Sequence, residues 1–173
     1  MSDSAKPRNM IVSSRHLAGE DSWQASEFEY GLIIAYNGFS RWVSRCMAAT
    51  GEQGLNVLEI LILHHINHRA RQKRLNDICF LLNIEDAHTV NYALKKLLKA
   101  GLIQGEKVGK EIFYSVTKDG ENRCERYREV REQCLIETLK HMDNNPESLS
   151  ETAALLRMMS GIYDQASRAA GSL

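Results

Sequence analysis

The chain has 173 residues, 43% of them hydrophobic and 25% charged, and its Lys plus Arg count equals its Asp plus Glu count, so the formal net charge is zero. That is enough chain for one domain of ordinary size, or for a small domain with an added dimerisation region, and the apolar content and two prolines exclude a largely disordered protein. Zero net charge excludes a uniformly basic binder of nucleic acid, leaving a local basic face as the only route to phosphate recognition.

Residues 1–22 are polar, rich in Ser, Arg and Gly, and lack a sustained period, which predicts a flexible tail. From Trp23 to Ala49 the apolar residues Phe28, Leu32, Ala35, Phe39, Trp42, Val43 and Cys46 keep helical spacing, and Thr50-Gly51 closes that helix. A second helix, about Asn56 to His68, carries Leu58, Ile60, Leu61, Leu63 and Ile66 on more than one face, as a centrally buried helix does. The stretch 67–74 is a basic turn into a third helix, Leu75 to Leu82, which stops at Asn83, a residue tolerant of the left-handed conformation.

The fourth helix starts at Glu85 or Asp86, either able to cap free amides, and runs to Lys99 before Gly101. Val90, Ala93, Leu94 and Leu97 form its apolar side. The opposite side carries His88, Thr89, Asn91, Tyr92, Lys95 and Lys96, a set of hydrogen-bonding and cationic groups suited to a major groove. Two β-prone runs within 104–116 meet at Gly109-Lys110, a hairpin signal, so a β-ribbon wing follows the helix-turn-helix. Thr117 can cap the next helix, whose stripe of Cys124, Tyr127, Val130, Cys134, Leu135 and Leu139 extends to about His141. A turn at Asp143–Pro146 leads to a final helix from about Ser148 to Ala170.

The charge is unevenly spread. Residues 67–118 hold ten Lys/Arg against five Asp/Glu, a net of +5, so the flanks carry −5. A basic module between acidic ends fits a middle that faces DNA. Base edges are then assigned to His88, Thr89, Asn91 and Tyr92, because an Asn amide can pair bidentately with adenine and a good pair gives roughly 1–3 kcal/mol of discrimination. Phosphate contacts fall to Lys95, Arg71, Lys73, Arg74, Lys107 and Lys110, near the ends of the helix-turn-helix and on the wing. The competing reading of each is a solvated surface residue.

Other features point to packing. His64 and His68 stand one turn apart, but no third ligand at a fixed spacing completes a metal site. Cys46, Cys79, Cys124 and Cys134 lie far apart on or beside apolar stripes, as buried packing cysteines do, and redox sensing is the lesser alternative. A ligand cavity lined by Trp42, Met47, Met158, Met159 and Tyr163 likewise yields to core packing. There is no Gly-rich phosphate loop, nucleophile elbow or carboxylate pair, so neither an enzyme nor a cofactor is expected. The longest apolar run, Val57 to Leu63, is interrupted by Glu59 and is far short of the roughly 20 residues a bilayer needs, and with no secretory leader the expected setting is the cytoplasm.

The combination Leu75-x-x-Ile78, Thr89-Val90-x-x-Ala93-Leu94-x-x-Leu97, Gly101-Leu102-Ile103 and Val116-Thr117-x-x-Gly120 resembles the MarR family of bacterial transcription regulators over residues 25–170. The expected architecture is mainly α: a single domain over 23–173, with a winged helix-turn-helix lobe at 53–118 and long dimerisation helices at 23–50 and 118–170. The resemblance implies a homodimer on a palindromic operator and a small-molecule effector. Three departures stand out: the turn over 83–89 is one residue longer than the common family pattern, the short wing lacks the family's Asp-x-Arg element, and the acidic Glu85 and Asp86 open the recognition helix. A dimeric winged-helix adaptor that binds protein is the alternative.

Overall fold

The computed structural model describes residues 22–140 and 146–173, so the tail expected over 1–22 and the turn expected at Asp143–Pro146 lie, except for Ser22 and Pro146, outside the described residues. The chain separates into two compact units, one ending at Tyr127 and the other beginning at Arg128.

In the first unit, helix α1 (Trp23–Ala49) ends at Thr50, and α2 (Val57–Asn67) begins at Asn56. Asn56 and Glu59 form a reciprocal capping box: the Glu59 amide donates to Asn56 Oδ1 at 2.9 Å and the Asn56 amide to Glu59 Oε2 at 2.8 Å. After a short 3-10 turn at His68–Ala70 come strand β1 (Lys73–Arg74), helix α3 (Leu75–Leu81) and helix α4 (Ala87–Lys99). Strands β2 (Ile103–Val108) and β3 (Glu111–Val116) form the wing, and α5 (Lys118–Arg131) follows.

The wing pairs in the register Ile103↔Val116 to Val108↔Glu111, leaving Gly109-Lys110 as a two-residue turn. Gly109 sits at φ 64, a left-handed value that costs glycine nothing. The sheet has three strands in the order β1-β3-β2, which corrects the expectation of a two-stranded ribbon. Lys73 and Arg74, read as part of a turn, pair with Tyr114 and Phe113 of β3.

The core centres on α2, whose Ile60, Ile62, Leu63 and Ile66 are buried. Around it pack Val43, Cys46 and Met47 from α1, Ile78 from α3, Val90, Ala93, Leu94 and Leu97 from α4, and Leu102, Ile103 and Tyr114 from the wing. Each fully buried aliphatic side chain contributes about 1.5–3 kcal/mol, so this cluster holds the lobe together. In the N-terminal part of α1, Leu32 and Phe39 of the apolar stripe are exposed, as are Ile33, Ile34 and Tyr36. Arg123 of α5 fastens the end of α1, with Nη1 donating to the Thr50 carbonyl at 2.6 Å and Nε lying 3.6 Å from Glu52.

The second unit continues α5 through a π-helical turn, Glu132–Ile136, into the short α6 (Glu137–Lys140), and contains α7 (Pro146–Ala170). The π turn falls within the stripe expected to extend to about His141, a residue outside the described set, and Cys134, expected to pack, is exposed. On α7, Leu149, Leu155, Leu156, Met158 and Ile162 are exposed. Among the described residues no helix is long and apolar enough to cross a membrane.

Candidate nucleic-acid interface

The helix-turn-helix is built from local signals. Helix α3 is closed by Leu82, whose amide returns to the Ile78 carbonyl at 3.0 Å, and Asn83 takes φ 51, turning the chain towards α4. Asp86 then caps α4: its carboxylate accepts the His88 amide at 2.9 Å and the Thr89 hydroxyl. The Thr89 hydroxyl, followed by the His88 amide, holds the Asp86 carboxyl below the usual carboxylate range. The acidic residue at the head of the recognition helix is therefore engaged in the cap. Its four buried residues Val90, Ala93, Leu94 and Leu97 fix the helix rotation, so the opposite face is set by packing.

On that opposite face His88, Thr89, Tyr92 and Lys95 are exposed and Asn91 is half-buried. Tyr92 is 71% exposed, far more than a structural aromatic residue requires. Tyr92 and Lys95 line a cleft with Lys96, Lys99 and Ala100. Asn91 lines a second cleft with Asn76, Arg74, Lys110 and Glu111, which joins the recognition helix to the tip of the wing. Lys107 and Lys110 on the wing and Arg71 before β1 are exposed and carry no ion pair among the described residues. Thr89 spends its hydroxyl proton on Asp86, so it retains acceptor capacity only.

Lys73 and Arg74 have internal roles. Lys73 is buried to 9% exposure and its ammonium donates to the carbonyls of Arg71, at 2.8 Å, and His68, at 3.1 Å. Burial and then the nearby Arg71 charge lower its pKa. Arg74 spreads its guanidinium over two carboxylates: Nε and Nη2 donate to Asp77 at 3.1 and 3.0 Å, and Nη1 donates to both oxygens of Glu111 at 3.1 and 3.2 Å. These bonds raise the Arg74 pKa, and that to Arg74 lowers the Asp77 pKa.

Lys96, read as part of the groove-facing side, turns instead onto α2, where its ammonium lies 2.9 Å from Glu59 and donates to the Gly54 carbonyl at 2.7 Å. The Glu59 side chain is 1% exposed. This pair ties the recognition helix to the central helix and was missed in the sequence, although Asn56-x-x-Glu59 is a legible capping signal. The cysteines divide: Cys46 and Cys124 are buried, Cys79 is partly buried, and burial pushes the Cys124 thiol up to about 12 and raises that of Cys79. His64 packs edge-on against the Tyr127 ring at 4.3 Å.

Residues 55–120 match a family described as a winged helix DNA-binding domain. No curated protein matches the chain in sequence. Among solved structures, MarR of Staphylococcus aureus in complex with salicylate and kanamycin aligns with a TM-score of 0.64 at 18% identity, covering 82% of this chain and 93% of the other. AbfR of Staphylococcus epidermidis aligns at 0.65 and 15% identity, over 83% and 93%. The transcriptional regulator BldR from Sulfolobus solfataricus aligns at 0.64 and 15% identity, over 82% and 99%. Residues 55–120 thus match the winged helix DNA-binding domain model, within a chain whose fold is that of these solved MarR-type structures.

Proposed function

We propose that the protein is a sequence-specific regulator of transcription that binds a palindromic operator as a homodimer, with α4 in the major groove and the wing beside the backbone. The observation that carries this reading is the polar, exposed face of α4, held in one rotation by four buried residues and flanked by the wing lysines. Asn91, His88 and Tyr92 read base edges, with Thr89 accepting where a base amine approaches. Lys95, Arg71, Lys107 and Lys110 contact phosphates, while Lys73 and Arg74 shape the lobe. The exposed apolar residues of α1 and of α7 form the subunit contact, which leaves 53–118 as the DNA-binding part of one functional module. A small-molecule effector belongs to the same proposal, because the Staphylococcus aureus relative is described bound to salicylate and kanamycin.

Selection of bound sequences from a random duplex pool, at about 50 and 200 mM salt, tests the reading. The wild type should enrich a palindrome with half-sites about 10 base pairs apart, and Asn91→Ala should lose preference at one position in each half-site. Absence of any enrichment at low salt would instead favour a protein-binding adaptor.

A further inference from the structure

We propose that Arg74 acts as a charge mask for the wing: it neutralises Glu111 at the mouth of the cleft beside Asn91, so that a phosphate backbone can approach that cleft. The inference rests on the DNA reading above and deepens it at one residue.

The cleft, about 280 Å3, gathers Asn76, Asn91, Lys110, Arg74 and Glu111. Glu111 opens β3 beside the Gly109-Lys110 turn, on the rim where phosphates would lie. An unpaired carboxylate there would repel them, because charges on a protein surface act over a Debye length of about 8–10 Å. Arg74 holds both oxygens of Glu111 with one guanidinium nitrogen and Asp77 with two others. Asp77 in turn accepts the Arg74 amide at 3.0 Å, which fixes the base of the fork. The two carboxylates and the guanidinium sum to one negative charge, where an unmasked site would carry two. A guanidinium committed on both edges has few donors left for a phosphate, so its contribution to binding is exerted through Glu111.

The charge count makes the proposal testable. Arg74→Gln makes the site one unit more negative, Glu111→Gln one unit less, and the double variant restores the wild-type sum. Binding of a mixed pool of 30-base-pair duplexes, read by anisotropy at about 50 and 200 mM salt, should weaken about 3- to 10-fold in Arg74→Gln, tighten in Glu111→Gln, and return to within about twofold of wild type in the double variant. A double variant as weak as Arg74→Gln, with the salt slope shallower by about one, would mean that Arg74 itself touches phosphate and would overturn the mask. Weaker binding in Glu111→Gln would overturn it too, and that arm stands even if Arg74→Gln fails to fold by circular dichroism. Failure of the underlying reading is recognised separately, from wild type that does not bind the pool at low salt.

Discussion

Gly120 shows what one hydrogen atom in place of a methyl can secure. A Cβ built there would lie 2.1 Å from the Leu102 carbonyl oxygen and 2.6 Å from Val116 Cγ2, and that carbonyl is itself pinned by the Thr117 amide at 3.1 Å. Gly120→Ala should therefore cost about 1–3 kcal/mol of overpacking, seen as a melting temperature lower by roughly 2–4 °C per kcal/mol. An unchanged melting temperature would show that the α5 entry has slack. His64 and His65 predict a pH effect. Burial lowers the pKa of both, and their Nε2 atoms are buried without a hydrogen-bond partner. For a histidine whose folded pKa lies below the unfolded value of about 6.5, the unfolded state binds more protons between the two, so stability is complete above about pH 6.5 and falls as pH drops. Thermal melts at pH 7.5 and 5.5 should show that loss, and His64→Phe, which keeps a ring against Tyr127, should flatten the dependence. A wild-type melting temperature equal at both values would count against it.

At the scale of elements, the Glu59–Lys96 pair decides how firmly α4 is held. Lys96→Met would leave the Glu59 carboxylate buried with only the Asn56 donors. Breaking a buried pair costs about 3–5 kcal/mol, and partial exposure of the lysine reduces this to roughly 1–3 kcal/mol. Stability should drop while the salt slope of DNA binding stays as in wild type, because Lys96 faces α2; a slope reduced by about one would return Lys96 to the phosphates. The same pair shows where sequence reasoning stops. The turn between α3 and α4 was legible because Asn83, Asp86 and the spacing of Val90, Ala93, Leu94 and Leu97 act within a few residues of one another. Strand β1 was not, since two residues carry no alternation and Lys73 and Arg74 find their partners forty residues on. The pairings of Arg74 with Glu111 and of Lys96 with Glu59 were illegible for the same reason, since a cation's sequence position says nothing of a carboxylate waiting on a distant element, whereas the Lys73 bonds to His68 and Arg71 and the Arg74 bond to Asp77 are local.

For the whole molecule, the charge balance and the apolar surface point to assembly. The neutral chain divides into a basic segment at 67–118 and acidic flanks, so the proposed DNA affinity would rest on that segment, and pairing two lobes would present two such segments to one duplex. Leu32, Ile33, Ile34, Tyr36 and Phe39 on α1 are between 37% and 60% exposed, and α7 bears a further five large apolar residues at 40% or more. A stable monomer rarely leaves that much apolar surface in water, and the proposed homodimer would bury it against a second copy of the same chain. Light scattering at micromolar concentration should give a mass near 39 kDa, twice the 19.6 kDa chain. Ile34→Glu should shift that mass towards one chain and weaken operator binding along with it, because a single lobe reads only one half-site. A wild type that scatters as one chain would defeat the dimer, and a monomeric Ile34→Glu that binds the operator as tightly as wild type would separate dimerisation from recognition.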